Sequence, residues 1–254
     1  MRICTWNVNG VRAAWRKGLW RHLKRLKPDA VMLQEIRCTP EQAPDPMLRQ
    51  RTYRTTWHPA EKLGYAGTLT WTRGDHTVLE RGVDGPDPQG RVLRTRFDEI
   101  ELINVYLPSG SRSDEAQQAK EAWMERFLPW AERLAAQPHP VVLGGDLNIA
   151  HTANDIHNPT GNKRNSGFLP HERDWFSTLL AAGWTDVIRV RAGETKGPYS
   201  WWSNRGQARA LNRGWRIDYL LCNKAAATRV TAAGTERSGG LEVSDHAPVW
   251  IDLA

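Results

Sequence analysis

Several apolar runs in this sequence end on, or are interrupted by, groups that could do chemistry. Val141, Val142 and Leu143 lead through Gly144 and Gly145 to Asp146 and Asn148; the run 30–34 stops on Glu35; Asp218 lies inside 216–222; and Asp245 and His246 precede the closing run 248–253. Burying an ionised carboxylate without a partner costs several kcal/mol even after relaxation. Taken singly, each position has an ordinary explanation: a turn at Asp146, a solvated strand end at Glu35, half of an ion pair at Asp218, a satisfied core histidine at His246. Taken together they ask for a common one. If strand ends gather on one edge of paired sheets, Glu35, Asp146 and Asp245 converge, and like charges so placed repel unless a cation sits among them. Oxygen-only ligands favour Mg²⁺ or Mn²⁺ over zinc. His246, with Asp218 to orient its ring, is a polarised donor for a phosphate oxygen. The chemistry these parts suggest is metal-assisted hydrolysis of a phosphate ester.

The elements that must position these groups alternate between short strand-like runs and amphipathic helices. Residues 2–7 and 30–34 read as strands, separated by a helix over 11–26 that Pro28 ends. Residues 53–58, 67–72, 91–97 and 100–106 follow closely without helices between them, which argues for antiparallel pairing. Ser113 caps a long helix to about residue 136, interrupted by Pro129, and the strand 141–146 comes next. A helix over 172–182 precedes strands at 200–202, 216–222, 228–233 and 248–253. The order predicts an α/β fold: a four-layer α/β/β/α sandwich of two mixed, mainly antiparallel sheets.

The 254 residues are 40% hydrophobic and show no linker, repeat or composition break, so residues 1–254 are expected to form one domain. No window reaches the apolar length of a bilayer span and the start lacks a secretory pattern, so a soluble, cytoplasmic protein is expected, nucleoid-associated if bacterial. Three cysteines without paired spacing suggest neither a disulfide framework nor a zinc ribbon. The net charge of +7 would attract a polyanion, with nucleic acid the leading candidate. No apolar stripe demands a partner copy, so a monomer is expected.

Seven blocks carry a resemblance. WNVNGVRA (6–13), LQEIR (33–37), VYLPSGS (105–111), GGDLNIAH (144–151), NPTGNKRNSGF (158–168), GWRIDYLL (214–221) and SDHAPV (244–249) resemble, in the same order, blocks of the exonuclease III family, apurinic/apyrimidinic endonucleases of the endonuclease/exonuclease/phosphatase superfamily. The resemblance implies a Mg²⁺-dependent enzyme, with Mn²⁺ able to substitute, acting on double-stranded DNA. It would cut the backbone 5′ to an abasic site and would also remove 3′-blocking groups and degrade 3′ ends. Position by position, it implies Glu35 as principal metal ligand with Asn7 and Asp245 nearby. It implies Asp146 as the group that orients or deprotonates water, and Asn148 as holding the phosphate and that acid in line. His246, held by Asp218, would contact the scissile phosphate, and Tyr106 would touch the phosphate or the leaving group. Trp201, Trp215 and Ile217 would form an apolar pocket for a base-free sugar, while Asn162, Lys163 and Asn165 would grip backbone.

Departures from the family pattern bear on the activity. Ile36 and Arg37 follow the glutamate where Thr-Lys is more usual, which makes Arg37 an altered DNA contact. Asn9 stands where some relatives carry aspartate. Arg112 and Arg205 occupy loops that can enter a DNA groove, and such loops set the balance among the activities. Alternatives are a less selective deoxyribonuclease or 3′-exonuclease, a phosphatase acting on a small molecule, and a catalytically silent DNA-binding module.

Overall fold

The computed structural model of the chain describes residues 1–237 and 242–254. Two six-stranded sheets carry the fold. The first contains β1 (Arg2–Asn7), β2 (Ala30–Gln34), β3 (Arg54–His58), β4 (Thr68–Thr72), β11 (Val230–Thr235) and β12 (Val249–Leu253), in the order β11-β12-β1-β2-β4-β3. The second contains β5 (His76–Arg81), β6 (Val92–Phe97), β7 (Ile100–Tyr106), β8 (Val141–Asp146), β9 (Thr185–Asp186) and β10 (Asp218–Cys222), in the order β5-β6-β7-β8-β10-β9. Each sheet has a single parallel pair at its centre, β1 with β2 and β7 with β8, and its remaining pairs are antiparallel.

Ile3, Met32, Leu102, Val142, Leu220 and Ile251 are among the buried side chains packed between the sheets. On the outer face of the first sheet, Leu19 and Leu23 pack with Trp6, Val31 and Leu33. On that of the second, Trp123, Phe127 and Phe176 pack with Ile103, Leu143 and Tyr219. These helices are α1 (Val11–Arg16), α2 (Leu19–Leu26), α4 (Asp114–Ala135) and α6 (Pro170–Ala181), the outer layers of the α/β/β/α sandwich. Shorter helices are α3 (Asp45–Leu48), α5 (Pro159–Asn162), α7 (Val187–Ala192) and α8 (Lys224–Ala227). No helix among the described residues is long and apolar enough to cross a membrane.

Several local expectations need correction. The helix expected over 11–26 is two helices, because Gly18 takes a left-handed φ of 101° that turns the chain before Leu19. Pro129 does not interrupt α4. An internal proline costs a helix ~3 kcal/mol, and burial of Phe127, Trp130, Ala131 and Leu134 around it offsets that loss. Residues 200–202 form no strand; Trp201 makes isolated bridges to Trp215 and His246. Strand β5 lies between the expected strands 67–72 and 91–97 and is not among them; its alternating exposure shows a half-buried edge strand whose apolar signal is weak.

Candidate active site

The two parallel pairs determine where the site lies. In β1 and β2, Asn7 is paired with Gln34, so Asn7 and the Glu35 that follows Gln34 emerge at the same edge. In β7 and β8, Tyr106 is opposite Asp146, and on the other side of β8 the antiparallel β10 begins with Asp218 opposite Asp146. Face-to-face packing then brings both edges together. Gly144 permits the approach, since a Cβ there would come within 2.3 Å of Met32 Cε in the other sheet, and a Cβ on Gly145 would come within 1.8 Å of the Val105 carbonyl oxygen.

A cleft of about 910 Å³ opens at this edge, with Glu35, Arg37, Tyr106, Asp146, Asn148 and His246 in its wall. Asn9, Glu35, Arg37 and Asn148 all have positive φ, between 46° and 56°. This conformation costs an ordinary L-residue on the order of 1–2 kcal/mol, and such strain gathers at sites where geometry is over-determined by its surroundings. Here it turns the chain at the strand ends so that the polar side chains face the cleft.

Asn7, fully buried beneath the floor, ties the two sheets together: its Nδ2 donates to Glu35 Oε2 at 3.0 Å and to Asp146 Oδ2 at 2.9 Å. The backbone N–H of Asn148 donates to Asp146 Oδ1 at 2.9 Å, and Asn148 Nδ2 donates to the Leu107 carbonyl at 2.8 Å. Burial, and then the Asp218 carboxylate across the ladder, push the Asp146 carboxyl up to about 7. Asp146 is therefore poised to take a proton near neutrality.

His246 sits behind it. Its Nδ1 lies 2.9 Å from Asp218 Oδ2, and its Nε2 lies 4.0 Å from Asp146 Oδ2. The Ser200 hydroxyl donates to Asp218 Oδ2 at 2.6 Å and accepts the N–H groups of Ile217 and Asp218, fixing the orienting carboxylate. Burial opposes charge on the ring, but Asp218, Asp146 and Asp245 outweigh it and hold His246 up to about 10. These carboxylates favour the protonated ring at neutral pH. Tyr106 is held as a neutral phenol, its pKa raised well above the ordinary value by burial and by the Glu35 and Asp146 carboxylates. Arg91 supports it, stacking over the ring at 4.8 Å and donating to the Tyr106 carbonyl.

Two groups of acids are available to a cation. Asp146, Asp218 and His246 offer ligand atoms within 4.8 Å of one another. In this trio His246 Nδ1 and Asp218 Oδ2 are already committed to each other at 2.9 Å, and Asp146 Oδ2 accepts from Asn7, so few donor atoms are free for an ion. The better set lies at the mouth: Glu35 and Asp245 line the cleft, with Asn7 joined to Glu35 and Asn9 donating both to Asn7 Oδ1 and to Asp245 Oδ1 at 2.9 Å. Its donors are all oxygens, which suits a hard divalent ion. Burial alone would raise Asp245, but His246, Asn9 and Trp201 hold it below the usual carboxylate range, so it is anionic.

The outer wall carries most of the remaining residues singled out above. Arg112, Asn165, Trp201, Arg205, Trp215 and Ile217 line the cleft. Trp201 donates through Nε1 to Asp245 Oδ2 at 3.2 Å and meets Trp215 edge-to-face, and Ile217 packs with Ile156 and Phe168 beneath them. Asn162 and Lys163 lie outside the cleft wall. Asn162 spends its amide inside its own turn, donating to the Asn158 carbonyl and accepting from Asn165. Arg164, between them and Asn165, also lines the wall. Sequence reasoning passed over it and over Ser200, whose only sequence signal is its nearness to Trp201.

A family model described as the Endonuclease/Exonuclease/phosphatase family matches residues 4–246. The chain belongs to this family. Among its Endonuclease/Exonuclease/phosphatase relatives, an exodeoxyribonuclease of Bacillus subtilis (strain 168) is 36% identical over 254 residues, covering 99% of this chain and 98% of the relative. An AP endonuclease from Archaeoglobus fulgidus superposes with a TM-score of 0.91 at 26% identity, covering 100% of this chain and 99% of the other. A 3′ phosphatase from Neisseria bound to a product DNA hairpin has the same TM-score at 28% identity and the same coverage. The family's members are nucleases and phosphodiester hydrolases, and this chain is an enzyme of that class.

Proposed function

We propose that the chain, acting as a monomer of one domain, is a DNA repair nuclease that hydrolyses the phosphodiester 5′ to abasic sites in duplex DNA. It also removes 3′ blocking groups and degrades 3′ ends. The observation that carries the reading is the meeting of Glu35, Asp146 and Asp245 with an imidazolium at His246, in a cleft with a tryptophan wall. The names of the relatives, an exodeoxyribonuclease, an AP endonuclease and a DNA-bound 3′ phosphatase, span the activities assigned.

Glu35, Asn7 and Asp245 are the residues that would hold Mg²⁺ or Mn²⁺, whose chemistry there is to neutralise charge on phosphoryl oxygens. Asp146 accepts the proton of the attacking water, held in place by the Asn7 amide and the Asn148 N–H. His246 Nε2–H donates to a non-bridging phosphate oxygen, and Asp218 keeps the ring oriented and charged. The Tyr106 phenol, still protonated, donates to the phosphate or to the departing oxygen. Trp201, Trp215 and Ile217 receive a sugar that has lost its base, because a nucleotide without stacking leaves the helix at least cost. Arg37, Arg112, Asn165 and Arg205 hold the flanking backbone, together with Arg164.

The test is cleavage of a duplex carrying one abasic analogue beside the same duplex intact, each with Mg²⁺ and with EDTA. Incision confined to the abasic duplex and abolished by EDTA is expected. Equal rates on both duplexes would make the enzyme a less selective nuclease, and activity untouched by EDTA would remove the metal.

A further inference from the structure

The cleft's two walls meet at a buried ion pair that the chemistry above does not use. Lys120 in α4 and Glu172 in the first turn of α6 are both wholly buried, and Lys120 Nζ lies 2.6 Å from Glu172 Oε1. The same Nζ donates to the backbone carbonyl of Asn148 at 2.9 Å. The other carboxylate oxygen, Oε2, accepts the N–H of Gly167 at 2.7 Å and that of Leu169 at 3.0 Å. Gln117 Nε2 donates to Oε1 at 3.1 Å.

As a helix contact the pair is a poor choice. Withdrawing two charges from water usually costs more than their attraction returns, and well-packed apolar side chains of similar volume do as well or better for stability. What apolar side chains lack is direction. Lys120 and Glu172 make oriented bonds to three backbone groups in two separate loops: the carbonyl of Asn148, in the turn that leaves Asp146, and the N–H groups of Gly167 and Leu169, both in the cleft wall. The Ala150 N–H, donating to the Gly167 carbonyl at 2.7 Å, is a second tie between those loops.

We infer that Lys120 and Glu172 are a positioning pair for hydrolysis, fixing Asn148, and through it the Asp146 carboxylate, at a set separation from the wall 166–169 that receives the substrate. The inference rests on the nuclease reading above. The pair touches no reacting atom, so its loss should act on turnover. Misplacing a catalytic group by ~1 Å lowers the rate ~10²-fold.

The decisive variant is the double replacement Lys120→Met with Glu172→Leu, which keeps the volume and leaves no lone buried charge. The fold should persist with a lowered melting temperature, because the Asn148 carbonyl and the Gly167 and Leu169 N–H groups lose their partners, while kcat on an abasic-analogue duplex falls ~10²-fold with duplex affinity unchanged. Amide hydrogen exchange at Gly167 and Leu169 should speed up while β8 stays protected. Parent-like kcat together with parent-like exchange at the two amides would overturn the inference. Should the parent itself fail to cut abasic DNA, the nuclease reading falls on that result alone, and the exchange measurement still judges the pair. Should the double variant not fold, Lys120→Met with Glu172→Gln, which keeps the shape and one acceptor oxygen and also leaves no lone buried charge, carries the same comparison with the same outcomes.

Discussion

The guanidinium of Arg37 lies on Glu35: its Nε donates to Oε1 at 3.0 Å and its Nη2 donates to the same oxygen. The Glu35 side chain is 14% exposed and that of Arg37 43%, so the carboxylate is fixed while the arginine can swing out. An arginine two residues after the principal candidate ligand would therefore compete with a metal for one of its oxygens, in addition to any contact it makes with DNA.

Arg37→Gln should lower the Mg²⁺ concentration needed for half-maximal activity. A charge-assisted hydrogen bond contributes ~1.5–3 kcal/mol, and solvent at this half-exposed pair reduces it to about 1 kcal/mol, a shift of roughly fivefold. A Mg²⁺ titration of initial rates reads it directly. An unchanged or raised midpoint would show that Arg37 does not compete.

Asp146→Asn should reduce kcat by ~10²- to 10⁴-fold, the usual contribution of a positioned general base, and leave duplex binding intact. Removing a negative charge beside phosphates cannot weaken an electrostatic attraction. The amide can still accept the Asn148 N–H that now reaches Oδ1. Single-turnover rates beside equilibrium binding separate the two effects. Affinity lost in parallel with rate would make Asp146 a binding group.

The charge on His246 ties stability to pH. Its folded-state pKa is raised from 6.5 to about 10, so its favourable contribution is fully present below the unfolded value and is lost as pH rises through the folded one. The raised carboxyl of Asp146 works in the same direction between 3.8 and about 7, since there the folded state binds the extra proton. In EDTA, urea midpoints measured at about pH 6, 8 and 10 should fall steadily, and His246→Gln should flatten the upper part of that fall. A variant as pH-dependent as its parent between about pH 8 and 10 would place the proton elsewhere.

Much of this site is legible from the sequence because its residues break a pattern. An acid closing an apolar strand, as Glu35 and Asp146 do, conflicts with its surroundings, and strand ends of one sheet edge must come together in space. The layering is legible for the same reason, since strands and helices differ in apolar period. Lys120 breaks no pattern, because lysine is an ordinary residue on a solvated helix face, and nothing local says that Glu172 will bury it. The break at Gly18 depends on backbone torsion that a helical pattern of leucines hides. Asn162 and Lys163 show the opposite failure: a polar turn shares its composition with a binding loop, and only folding decides that Arg164 and Asn165 face the cleft.

The aromatic wall yields the sharpest test of selectivity. Trp215 stands edge-to-face with Trp201, ring centroids 6.0 Å apart, and its own ring packs on Gly167. Trp201 is tied to Asp245, so changing it would disturb the candidate metal set as well; Trp215 forms part of the wall without that tie. Trp215→Ala should therefore lower kcat/KM on an abasic duplex while leaving removal of a terminal 3′ phosphate less affected, since a blocked end places the scissile bond in the cleft without demanding a fitted sugar pocket. One apolar contact discriminates by ~10- to 200-fold, and the deletion should fall within that span on the abasic substrate. Equal losses on both substrates would mean that Trp215 supports the whole cleft, and no loss on either would place the sugar elsewhere.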